Sequence, residues 1–145
     1  LCVAVVGCGS GGSYVDDLTH PSAERRVAAA EFLGAQRENS AVAALVAALG
    51  DSEPGVRAKS AWALGMIRDS VAMHPLIDLL DDGDREVKQA SLGALMNLEQ
   101  PDALPALGSA LSKEADDWVV GDLEKTIRYL ELLEGEADVG EFSFR

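Results

Sequence analysis

The side chains that could do chemistry are few and scattered. Cys2 and Cys8 fall in the first eight residues, the two histidines stand at His20 and His74, and Gly7, Gly9 and Gly12 spell G-x-G-x-x-G behind a short apolar run. A phosphate-cradling turn of that form needs a strand before it and a full helix directly after it, because the glycines work by letting a helix N-terminus point at the phosphate. "SYVDDLTHPSAERR" follows instead and supplies neither a full helix nor a second strand ending in an acid. The run "DDGDRE" (81–86) starts like a calcium loop but lacks the later ligands and the closing bidentate glutamate, so capping of the next helix accounts for it better. Each histidine is followed by proline and has no partner for acid–base work, and no serine has a matched base and orienting group. The pattern points to a non-enzyme with no catalytic residue, no metal and no cofactor.

Composition narrows the field further. The formal charge of −13, from 25 acids against 12 bases, repels phosphate backbones, so nucleic acid is excluded as a partner. Ten of the acids and four of the bases lie from Lys113 onward, as expected of a solvated acidic end. With 48% hydrophobic and 5% aromatic residues, the core must be built from small and aliphatic side chains on closely approaching helices. No apolar stretch approaches the ~20 residues of a membrane-spanning helix.

What must position any functional surface is a repeat. "ERRVAAAEFLGAQRENSAVAALVAALGD" (24–51) aligns without a gap on "GVRAKSAWALGMIRDSVAMHPLIDLLDD" (55–82), and a second step of 31 reaches "EVKQASLGALMNLEQPDALPALGSALSK" (86–113). Leu33, Leu64 and Leu95 share a column, as do Ala41, Ala72 and Ala103, then Leu45, Leu76 and Leu107, then Leu49, Leu80 and Leu111. Each unit carries two helical stripes, one through Val56, Ser60, Ala61, Leu64 and Ile67, the next through Ala72, Leu76, Leu79 and Leu80. Pro75 and Pro105 fall in the first turn of a second helix, where a missing N–H costs little. A single hairpin cannot cover its own apolar face, so the units must stack.

The spacing predicts an all-α fold, an α-solenoid (α-α superhelix) of about three to four stacked hairpins over residues 20–135. Residues 1–19 are a leader, a Gly/Ser tether and a lead-in, in which "YVDDL" (14–18) is a remnant covering the first hairpin. Residues 136–145 are an acidic tail. Asp116 to Glu134 read as the first helix of a fourth unit, with Trp118 in the column of Val56 and Val87, and Leu123, Ile127, Leu130 and Leu133 facing inward. The small residues at 29/60/91 and 41/72/103 are expected to be where neighbouring helices come close.

Three sets of residues stand out on this frame. Arg26, Arg57 and Lys88 share a column beside Asp51 and Asp82 and are expected to form a structural ladder of ion pairs, each exposed rung worth ~0–1 kcal/mol. Trp62 and Met66, one turn apart, occupy columns otherwise filled by Glu31, Gly93 and Glu124 and by Ala35, Asn97 and Arg128. They read either as a solvent-facing anchor for a partner or as side chains folded down along the ridge. The second helices offer Ala43, Ala47, His74, Asp78 and Ser109, a smooth concave side suited to a segment of another protein. Trp62, Met66, His74 and Asp78 are therefore the partner-binding candidates of a monomer.

The stretch "VRAKSAWALGMIRDSVAMHPLIDLLDD", with its Val-Arg pair, small residues, Leu-Gly and second Ala/Leu helix, resembles HEAT repeats of the short PBS-lyase HEAT-like type. The resemblance spans roughly 22–112 and implies a non-catalytic scaffold for protein–protein interaction. Its alternative implication is a phycobilin lyase-like protein or lyase subunit that holds a bilin. Enzymes on such scaffolds bind iron through His-Glu pairs, which His20-Pro21 and His74-Pro75 do not reproduce. The opening "VAVVGCGSGG" (3–12) looks like the signal of a bacterial lipoprotein: an apolar segment, a small residue before Cys8, then a flexible Gly/Ser tether. That resemblance implies lipidation of Cys8, contact with a membrane only through that anchor, and a place at the cell envelope, periplasmic or on the outer surface. Without the lipid the expectation is cytoplasmic.

Overall fold

The computed structural model describes residues 13–138, and among them every regular element is a helix. The helices are α1 (Tyr14–Asp17), α2 (Ala23–Ala35), α3 (Val42–Ala48), α4 (Pro54–Ile67), α5 (Met73–Asp78), α6 (Arg85–Leu98), α7 (Leu104–Lys113) and α8 (Asp117–Asp138). Tight 3-10 turns at Asn39–Ala41, Ser70–Ala72 and Pro101–Ala103 lead into α3, α5 and α7. The first helices α2, α4, α6 and α8 pack side by side as one layer. Each second helix lies against the first helix of the following unit, α3 on α4, α5 on α6 and α7 on α8. The architecture is an α-solenoid.

That offset is why the repeat columns form one core. Leu33, Leu64 and Leu95, Ala41, Ala72 and Ala103, and Leu45, Leu76 and Leu107 are all buried, and they fill the seam between the two layers. Residues 14–18 fall 31 positions before 45–49, so α1 corresponds to the last part of a second helix. Its Leu18 is buried in the column of Leu49 and Leu80, and Tyr14 stacks on Phe32 with ring centroids 3.8 Å apart.

Between the helices of each hairpin the chain turns through a left-handed residue, Arg37 (φ 51°), Arg68 (φ 65°) or Glu99 (φ 53°), positions where glycine or asparagine is the usual choice. The turns are held by side chains instead. Glu38 and Asp69 accept from the backbone N–H of Ser40 and Val71, and Arg68 pairs with Glu99 of the next turn at 2.5 Å.

One expectation is corrected. Trp118 does not fill the valine column: it is 72% exposed, and Val119 is buried in its place. The third inter-unit connection is one residue longer than the others, so the buried valines Val56, Val87 and Val119 are spaced by 31 and then 32. The inward stripe of α8 is accordingly Val119, Leu123, Thr126 and Leu130, with Ile127 and Leu133 half-buried at its edge.

The small residues at 29/60/91 and 41/72/103 are buried. A further close approach, not foreseen in the sequence, lies at Gly34 and Gly65, where an added Cβ would sit 2.7 Å from the Cα of Ala63 and 2.6 Å from that of Ala94. Ser91 faces the second layer, and its hydroxyl donates to the carbonyl of Leu76.

Candidate functional site

The ladder is built from the connections between units. Arg26 donates from Nε and Nη2 to the two carboxylate oxygens of Asp51, at 2.7 and 2.9 Å, and from Nη1 to the carbonyls of His20 and Pro21, at 2.8 and 3.1 Å. Arg57 repeats this 31 residues on, with Asp82 at 2.8 and 2.9 Å and the carbonyls of Asp51 and Ser52 at 2.8 and 3.2 Å. Asp51 and Asp82 also accept from the amides of Glu53 and Asp84, at 2.9 and 2.8 Å, so each arginine ties one connection to the start of the next unit. All three donor groups of each guanidinium are thus spent inside the molecule.

The third rung departs from the reading of the sequence. Lys88 pairs at 2.6 Å with Glu114, which the extra residue moves into the place of the aspartate. Glu114 accepts in turn from the amides of Ala115 and Asp116. A rung at the other end was not anticipated. His20 stands 31 residues before Asp51, and its Nδ1 accepts from the amide of Ser22 at 3.0 Å, as Asp51 does from Glu53. The signal was present in the period, which places 20, 51 and 82 in one column.

The arginine hydrogen bonds hold the carboxyls of Asp51 and Asp82 below the usual range and outweigh the effect of their partial burial. Lys88 does the same for Glu114. These shifts belong to ion pairs already closed on themselves, so they mark structure and not a reactive centre.

Trp62 takes the second of the two conformations its column leaves open, folded down along the ridge. It is half-buried against the core, its ring so near the preceding helix that a Cβ on Gly34 would lie 2.9 Å from Cζ3. Lys59 sits 5.4 Å from the ring centroid and reaches Glu31 at 3.4 Å, so the indole is covered from a second side. Met66 is half-buried as well. Gly34, without a side chain, leaves the room into which Trp62 folds, an alternative visible in the sequence but not decidable there.

His74 and Asp78 are exposed, one turn apart on α5, with Ala43 and Ala47 exposed on α3 and Ser109 on α7. The structure therefore brings His74 and Asp78 together on the outer face of the second layer, away from Trp62 and Met66 on the first. Beside α3 lies an open hollow of ≈ 470 Å³, lined by Ala44, Ala47 and Ala48 on one side and by Leu18, His20 and Pro21 on the other. Among the described residues no group of three or more His, Cys, Asp or Glu is placed to hold a metal ion, and no helix is long and apolar enough to cross a membrane. Cys8, the lipidation candidate, lies outside the described residues.

A profile of HEAT repeats matches residues 15–91. No curated protein matches the chain. Among solved structures, the complex of CpcE and CpcF of phycocyanin lyase from Nostoc sp. PCC7120 is similar with a TM-score of 0.67 and 25% identity, over 88% of this chain and 58% of that one. Human deoxyhypusine hydroxylase in complex with glycerol is similar in fold with a TM-score of 0.70 and 24% identity, over 86% of this chain and 43% of that one. An engineered protein is similar in fold with a TM-score of 0.59 and 22% identity, over 81% of this chain and 61% of that one. The chain thus spans less than two thirds of the length of each.

Proposed function

The chain belongs to the HEAT-repeat family, and from that premise we propose that it is a non-catalytic scaffold that docks a segment of another protein on the layer formed by its second helices. One observation carries this reading. The ladder and Trp62 are closed by contacts within the chain, whereas Ala43, Ala47, His74, Asp78 and Ser109 form an exposed surface of small and polar side chains. Such a surface admits a backbone closely and holds little that could do chemistry. The scaffold acts as a monomer, tethered at the bacterial cell envelope through lipid on Cys8; intact-mass measurement of protein from membranes reads that lipid directly.

The test is affinity capture with the wild type and two variants. Ala43→Arg/His74→Arg/Ser109→Arg loses the partner and Trp62→Ala retains it; capture indifferent to the arginines refutes the reading.

A second reading is favoured by the likeness to the CpcE–CpcF complex of phycocyanin lyase: a bilin-holding lyase subunit. Visible absorbance that co-purifies with the chain after co-expression with a bilin supports it, and colourless protein opposes it.

A further inference from the structure

Three alanines of α3 form one wall of the hollow beside it. Ala44, Ala47 and Ala48 line it, and one unit on the same positions hold the larger Pro75, Asp78 and Leu79. The charged groups in its wall, Arg26 and Asp51, are spent on each other. The rest of the lining is mostly apolar, Leu18, Pro21 and the three alanines beside the polar Thr19, His20 and Ser52, and it suits an uncharged side chain.

The neighbouring unit has the opposite character. Asp78 and Asp81 stand 31 residues after Ala47 and Gly50, on the equivalent part of α5 and the turn that ends it. Both are exposed, and neither forms an ion pair or accepts a side-chain hydrogen bond among the described residues. Arg57, the ladder cation of the same unit, is committed to Asp82.

We propose that this surface docks a cationic protein segment, which lays an aliphatic side chain against Ala44, Ala47 and Ala48 and a lysine or arginine against Asp78 and Asp81. The inference rests on the scaffold reading and specifies the chemistry of its partner. The net charge of −13 draws such a segment in from a distance and repels an acidic one.

The probe is an end-capped, fluorescein-labelled Gly/Ser peptide carrying one leucine followed by two lysines, with a glutamate-for-lysine and a glycine-for-leucine control. Anisotropy titrations use the wild type, Ala47→Phe, which fills the hollow from an exposed position, and Asp78→Lys/Asp81→Lys, with the fold of each checked by circular dichroism. The lysine peptide binds the wild type, each variant and the glycine control weaken binding by about tenfold or more, and affinity falls as salt rises from about 0.05 to about 0.3 M. Equal binding of the glutamate peptide, insensitivity to either variant, or no binding at about 1 mM peptide overturns the inference. If the native partner is still lost on Ala43→Arg/His74→Arg/Ser109→Arg while the peptides fail, this inference falls and the scaffold reading stands; if capture ignores the arginines, the scaffold reading itself falls.

Discussion

Gly65 lies so close to Ala94 that a Cβ on it would sit 2.6 Å from the alanine's Cα and 2.8 Å from its Cβ. Both atoms belong to the next first helix and neither can swing aside. The contact therefore sets the spacing between α4 and α6. Gly34 and Ala63 repeat it between α2 and α4, with 2.7 Å to the Cα.

Gly65→Ala meets this backbone and destabilises the protein by about 1–3 kcal/mol, more than the ~1 kcal/mol that alanine gains in a helix interior. Gly93→Ala, on the next helix with nothing within 4 Å, collects that gain without the clash. Thermal melts of the two variants should move in opposite directions. A shift of the same sign in both would remove the close approach from the account.

The inter-unit pairs predict a response to acid. Arg26 and Arg57 depress the folded-state ionisation of Asp51 and Asp82, so their contribution is complete above about pH 5, where the unfolded carboxyls are also ionised. It is lost as pH falls below about 4 and through the depressed folded values. Asp82→Asn costs about 1.5–3 kcal/mol at pH 7, the range for hydrogen bonds to charged groups. Urea melts from pH 7 to 3 should show the gap between wild type and variant constant down to pH 5 and closing below it. A gap that does not narrow between pH 5 and 3 would mean the aspartates are held by something else.

Ser60 and Ser91 occupy one column, both buried, yet they differ. The Ser91 hydroxyl donates to Leu76, while that of Ser60 has no partner among the described residues. Ser91→Ala should cost about 1 kcal/mol, and Ser60→Ala should be neutral or stabilising, because it removes a desolvated hydroxyl. Denaturant midpoints read the difference, and equal losses would place Ser60 in a hydrogen bond as well.

The sequence carried the solenoid because the buried columns repeat: one period places Leu33, Leu64 and Leu95 together, and burial follows from the stacking of equal units. The same period brought Arg26 to Asp51 and Arg57 to Asp82. It misplaced Trp118 and left Glu114 out, because one added residue in the third connection shifts everything after it and no gap marks it in the pattern. The glycine contacts were missed for another reason. A glycine in a helix tells of close approach only when its neighbour across the seam is known, and Gly65, Gly93 and Gly121 look alike in sequence although only the first of them meets a backbone. Trp62 shows the same limit: its column holds glutamate or glycine in other units, but the empty space over Gly34 decides where the ring goes.

The most direct test of docking on the second layer is a photo-crosslinking scan with the partner present. A benzophenone side chain is placed in turn at Ala47, His74 and Ser109 on the second helices and at Glu24, Glu86 and Gly93 on the first. The account predicts cross-links to the partner from the first three positions and none from the others. Cross-links confined to Glu24, Glu86 and Gly93 would contradict it.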